Sequence, residues 1–133
     1  MFSEYEDYLS QEFSINFWSD EGILTACEIL SKFSNEDWDA LAQRWRSNTD
    51  EWKVRCAETI DSRSSQLVME ILLEMLEEDD SDVVIAAADS LRSFTRAELR
   101  ISPATLERIV ILGDCSGIAV KTVLADFIKR ATA

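Results

Sequence analysis

The chain reads as all-α, about eight helices joined by short connections into an array of antiparallel pairs, on the strength of three observations. Apolar residues recur three and four positions apart along most of its 133 residues, the spacing that gathers them on one face of a helix. One proline (Pro103) and three glycines (Gly22, Gly113, Gly117) are too few turn-makers for a sandwich of many short strands. Residues 66–94 consist of an apolar helix, an acidic turn (Glu77, Glu78, Asp79, Asp80, Asp82) and a second apolar helix, with almost nothing left over. Such a hairpin cannot bury both of its stripes alone, so it requires neighbours of the same kind.

Taken in order, Tyr5, Tyr8, Leu9 and Phe13 mark a short amphipathic helix, and Ile23, Leu24, Ala26, Cys27, Ile29, Leu30 and Phe33 a longer one. Residues 14–21 between them read as a loop or loosely held turn carrying Phe17 and Trp18. Residues 1–34 either cap the apolar end of the array or reach toward a partner. A first pair occupies 35–61. Its opening helix, N-capped by Ser34 or Asn35, carries Trp38, Leu41, Ala42 and Trp45 on one face, and its second helix follows a break at Asn48, Thr49 and Asp50. Trp38, Trp45 and Trp52 are expected in the core, and Trp18 is the tryptophan expected to stay exposed as an interface anchor.

The second pair, 63–94, buries Leu67, Val68, Ile71, Leu72, Met75 and Leu76 before the turn and Val84, Ala87, Ala88, Leu91 and Phe94 after it. Residues 49–60 align without a gap on residues 80–91, an offset of 31 that matches Trp52 with Val83, Val54 with Ile85, Ala57 with Ala88, Glu58 with Asp89 and Ile60 with Leu91. Thr49 and Asp80 take the capping position in each, and Glu51 and Asp82 place an acid in each first turn, where the helix dipole favours it. A third pair, 96–131, opens at Ser102 and Pro103, runs through Leu106, Ile109, Val110 and Leu112, and is expected to close at Gly113. Its last helix is expected to bury Ile118, Val120, Val123, Leu124, Phe127 and Ile128. All 133 residues are assigned to one domain.

Leu67, Ile71, Leu72, Met75, Asp80, Val84, Ala87, Ala88 and Leu91 follow the pattern L-x-x-x-L-L-x-x-L, a turn with Asp, then V-x-x-A-A-x-x-L, which resembles HEAT-type helical repeats. Val54, Arg55 and Ala57 look like the Val-Arg and Ala positions of the same repeat. The resemblance covers about residues 35–130 and implies an α-α superhelix. Fold alone does not imply function.

Several chemistries lack their residues. No histidine is present, which removes Ser-His-Asp and Cys-His nucleophilic sites and every metal site built on imidazole. The three glycines stand apart and form no phosphate loop, and the acidic turn lacks the glycine and terminal glutamate of an EF-hand. Cys27, Cys56 and Cys115 are odd in number and far apart, and are expected to be buried thiols. With 26 acids, no carboxylate pair singles itself out as catalytic. The expectation is a protein without enzymatic activity or cofactor, in the cytoplasm, with no segment for a membrane.

The net charge of −13 is unevenly placed: residues 1–46 carry 10 acids and 3 bases, 47–94 carry 12 and 4, and 95–133 carry 4 and 6. An acidic surface of this kind repels nucleic acid and attracts a basic protein. The bases of the last segment, Arg96, Arg100, Arg108, Lys121, Lys129 and Arg130, are too few to reverse that preference. Helical spacing sets Arg55, Glu58 and Asp61 on the exposed side of one second helix and Asp82, Asp89 and Arg92 on the next. The partner-binding surface expected from this placement comprises Asp50, Glu51, Glu58, Asp61, Glu77, Glu78, Asp79, Asp80, Asp82 and Asp89.

The size, the helical array, the missing catalytic residues and the acidity also look like the immunity proteins of bacterial contact-dependent growth-inhibition systems, the antidotes a bacterium makes against its own secreted toxin. That resemblance implies a basic toxin domain, often a nuclease, as the partner. The alternative is a HEAT-like adaptor or assembly factor that uses the same surface for a basic cellular protein. Nothing in the sequence sets the oligomeric state.

Overall fold

Most helices begin where a short oxygen-bearing side chain can satisfy the first free backbone N–H groups. In the computed structural model, which describes residues 1–63, 65–94 and 99–132, this holds for Ser34, Thr49, Ser65, Asp80 and Ser102, each accepting from an N–H two or three residues on. At Ser34 the bond is reciprocal: the Asp37 carboxylate accepts from the Ser34 N–H at 2.9 Å, completing a capping box. The helices are α1 (Phe2–Leu9), α2 (Ile15–Phe17), α3 (Ile23–Leu30), α4 (Asn35–Arg44), α5 (Asp50–Ile60), α6 (Gln66–Met75), α7 (Ser81–Leu91), α8 (Pro103–Asp114) and α9 (Ile118–Thr132). Eight of them have eight or more residues, and no strand occurs among the described residues. The protein is all-α. The expected start of the last pair at residue 96, and Arg96 with it, lie outside the described residues.

Helices α3, α5, α7 and α9 pack one against the next in a row, while α1, α4 and α6 follow one another on its other side. α6 folds back on α7 and α8 on α9, as their short connections require. α4 makes its close approaches to α1 and α6. One contiguous core runs from Phe2 to Phe127 and includes Trp38, Trp45 and Trp52, as their spacing predicts. The residues matched at an offset of 31 share their environments: Trp52 and Val83, Ala57 and Ala88, and Ile60 and Leu91 are all buried, Val54 and Ile85 half-buried, Glu58 and Asp89 exposed.

The N-terminal residues are part of this core. Tyr5 meets Phe33 and Trp52 edge to face with ring centroids 5.5 and 6.0 Å apart, and its hydroxyl is 2.7 Å from Thr59 Oγ1. Residues 14–21 differ from the expected loop. Ser14 caps α2, a five-residue π-helical segment (Trp18–Gly22) follows, and α3 continues from it without a break. Trp18 and Gly22, four residues apart, face each other across this turn, and the indole lies where a side chain on residue 22 would project. Trp18 is accordingly 7% exposed, stacked on Phe13 at 5.7 Å, and not a free anchor.

Arg55 is the largest departure from the helical-wheel expectation. It is 6% exposed. Its guanidinium donates to the backbone carbonyls of Leu9 at 2.9 Å and Gln11 at 2.6 Å and to the Glu51 carboxylate at 2.6 Å. It also lies over the rings of Phe13 and Trp18, at 4.9 and 5.4 Å. The segment after α1 covers the face of α5 that period alone leaves open.

Smaller differences have local causes. Gly113 does not end α8, which continues to Asp114; it packs against α9, where an added Cβ would sit 3.7 Å from Leu124 Cβ, an ordinary contact. Ile118 is 86% exposed, because it begins α9 at the end of the array, while Leu124 and Phe127 are buried and Val120, Val123 and Ile128 half-buried. Cys56 is buried, Cys27 half-buried and Cys115 exposed, so only one thiol meets the expectation in full.

Two substitutions test this packing by chemical denaturation. Gly22→Ala is expected to lose about 1–2 kcal/mol, although helix propensity alone favours alanine by about 1 kcal/mol, because the added Cβ would lie 2.4 Å from Trp18 Cε3. Arg55→Met is expected to lose about 2–4 kcal/mol, since it strips two backbone carbonyls of their donors while keeping most of the side-chain volume.

A candidate partner-binding groove

Capping chemistry explains why acids gather at one end of two adjacent helices. Asp80 caps α7 through its own Oδ1, accepting from Asp82 N at 2.9 Å and Val83 N at 3.2 Å, and Asp82 follows in the first turn. Thr49 caps α5, and Asp50 and Glu51 occupy its first turn. The two helices lie in register. Ser90 Oγ on α7 donates to the Ala57 carbonyl on α5 at 2.5 Å, and seven residues on from Glu51 and Asp82 stand Glu58 and Asp89.

These residues line a groove of about 700 Å³ bounded by α5, α7, α9 and Ile15 of α2. Six of the ten acids expected at a partner surface are in its walls: Asp50, Glu51, Glu58, Asp80, Asp82 and Asp89. Among the described residues no lysine or arginine lines it. Its floor is apolar, formed by Val54, Ile85, Ala86, Ala119, Val120 and Val123.

The other four acids stand elsewhere. Glu77 accepts from the Thr105 hydroxyl at 2.5 Å, and Glu78 accepts from Lys53 Nζ at 2.5 Å while its carbonyl receives Arg108. The turn after α6 thus faces α8 on one side and α5 on the other, with the Glu77 carboxylate holding the first junction and the Glu78 carboxylate the second. Asp79 is exposed outside the groove, and Asp61, half-buried past the end of α5, is not among the walls. The expected acidic strip is therefore divided: Asp80 and Asp82 open onto the groove, whereas Glu77 and Glu78 belong to the scaffold.

Within the groove the carboxylates are unequally compensated. Glu51 is held by Arg55, and Asp89 by Arg92 at 2.8 Å, which also bonds Asp126 at 2.7 Å. Glu58 accepts from Trp18 Nε1 at 3.2 Å. Partial burial raises the Glu58 carboxyl above the ordinary carboxylate range, with Asp89 adding to the rise and Trp18 and Arg55 opposing it. Asp61 is raised likewise, by burial first and then by Asp89. This end of the groove favours an added positive charge.

The apolar floor escaped the charge-based reading. Its signal was present in the match of Val54 with Ile85, two apolar residues whose positions fall beside acids, and in alanines at 86 and 119 that leave space where larger side chains would fill it. Val120 and Val123 were expected inside the core and instead line the groove. No helix among the described residues is long and apolar enough to cross a membrane. Comparison with protein-family models, with curated proteins and with solved structures found no match.

A carboxyl whose pKa is raised on folding binds its proton more tightly in the folded state, so it lowers stability as pH rises from the ordinary carboxylate value through the raised one. Glu58→Gln keeps an acceptor for Trp18 and removes that loss. It is expected to raise the melting temperature at pH 7 by roughly 1–3 °C, solvent screening keeping the effect small, with the difference from the parent vanishing near pH 4. Thermal scans across that range check it.

Proposed function

We propose that this protein is an immunity protein that binds and neutralises a cognate secreted toxin domain, a basic nuclease, through the groove between α5, α7 and α9. The observation that carries the reading is six carboxylates around one apolar floor with no base among the described lining residues. Such a surface takes the place of the phosphates that a nuclease binds, occupying its basic site with fixed carboxylates. Complementary charge speeds encounter and selects the partner, while the apolar floor supplies contact area once water is expelled. The packing of α3, α5, α7 and α9 in a row, with residues matched at an offset of 31 in like environments, supports assignment to a HEAT-like array.

Charge reversal at two groove acids without a salt-bridge partner among the described residues, Glu58→Lys together with Asp82→Lys, is expected to slow association with the toxin domain at least tenfold and to abolish protection in co-expressing cells. Surface plasmon resonance across a salt series measures the first effect, with the parent complex weakening as salt rises. An affinity that stays flat across that series sinks acidic steering. A growth defect on deletion in a strain lacking any toxin would instead favour an adaptor for a basic cellular protein.

A further inference from the structure

The shape of the groove narrows what can occupy it. α7 is the middle of the three helices and presents Ala86 there, so the groove is bounded by Val54 of α5 on one side and by Ala119, Val120 and Val123 of α9 on the other. Adjacent packed helices are spaced roughly 8–10 Å apart, which leaves a trough about as wide as one further helix over the middle one. The acids stand at its two ends, Glu51 and Asp82 at one and Glu58 and Asp89 at the other, seven residues apart on each helix. That separation is two helical turns, about 10 Å. The floor between them carries no charge.

An extended peptide laid on such a floor would leave its backbone N–H and C=O groups facing apolar side chains, since no strand edge exists among the described residues to pair with them. A helix satisfies its own. Resting on the reading of this groove as the partner site, we infer that its occupant is a single amphipathic α-helix of the partner, lying along α7. Apolar side chains at positions i+3 and i+4 of that helix rest on Val54, Ile85, Val120 and Val123. Lysine or arginine at i and i+7 meets the carboxylates at the two ends.

The test uses the full chain and three synthetic helical peptides. One has lysine at i and i+7 with leucine at i+3 and i+4. A second has the same composition with its leucines moved to the opposite face, and a third has both leucines replaced by glutamine. Calorimetry is expected to show the first binding at least tenfold more tightly than either other. Methyl resonances of Val54, Ile85 and Val123 should shift, and the peptide should gain helical circular dichroism on binding. Ala119→Trp, which fills the groove from an exposed position, should weaken the first peptide at least tenfold while leaving the melting temperature unchanged. Equal binding of the glutamine peptide would show that charge alone acts, and undiminished binding to Ala119→Trp would place the peptide elsewhere; either result, or no binding at millimolar peptide, overturns the proposal. A toxin domain that binds the parent and is weakened by the Glu58→Lys and Asp82→Lys pair, with the peptide failing, sinks the helical occupant alone. Peptide binding without protection from any toxin sinks the immunity reading alone.

Discussion

Arg55 is the interaction on which the rest of the arrangement depends. A guanidinium withdrawn from water is tolerated only where every face finds a partner. Here the carbonyls of Leu9, at the end of α1, and of Gln11, just past it, the Glu51 carboxylate and the rings of Phe13 and Trp18 supply them. That set of partners fixes where the N-terminal segment crosses α5, and with it the position of α2, whose Ile15 forms one side of the groove. Trp18, held between Phe13 and Gly22, then reaches Glu58 with its ring nitrogen. One buried cation thus links the packing of the first residues to the electrostatics of the acids.

α5 collects many of the polar bonds between elements. Trp52 Nε1 donates to the Glu6 carbonyl, Thr59 meets Tyr5, the Ala57 carbonyl receives Ser90, and Lys53 reaches Glu78 beyond α6. Polar groups buried in low dielectric must be satisfied, so each bond also restricts the angle at which a neighbour can lie. The register of α5 against α7 follows from the Ser90 bond, and only in that register do Glu51 with Asp82, and Glu58 with Asp89, fall at matching levels. A groove with charge at both ends is a consequence of that alignment.

Acids in this chain serve two purposes that composition cannot tell apart. Asp80 and Asp37 cap helices, Glu77 and Glu78 join α6 to α8 and α5, and Glu6 holds Arg44 and Asn48. Glu6 has its carboxyl lowered, and Asp37 is lowered to about 2, by the hydrogen bonds they accept. Glu58 and Asp61 shift the other way because burial outweighs their partners. Glu6 and Asp37 are thus tied into the fold by the donors around them, whereas Glu58, in the groove, keeps a charge that its surroundings compensate poorly.

Local rules settled the helical class, the caps at Thr49 and Asp80, the start of α8 at Ser102 and Pro103, the burial of Trp38, Trp45 and Trp52, and the kinship of α5 with α7, and left the cap of α4 between Ser34 and Asn35 for the structure to decide. Each depends on interactions within four residues or on a period that repeats. The same rules gathered six acids onto one groove, because acids in first turns and at matched positions share a face whenever the two helices lie side by side. They failed where tertiary packing rather than period decided exposure. Period leaves Arg55 outside, but residues 9–18 cover it; Trp18 looks free, but Gly22 makes room for its ring; Val120 and Val123 look like core, but no further helix packs over them. Glu77 belongs to the scaffold because the start of α8 arrives beside it, and Glu78 because Lys53 of α5 reaches it. The bonds that decide Arg55, Glu77 and Glu78 join residues 25 to 46 positions apart in the chain, a separation that no window of helical spacing spans.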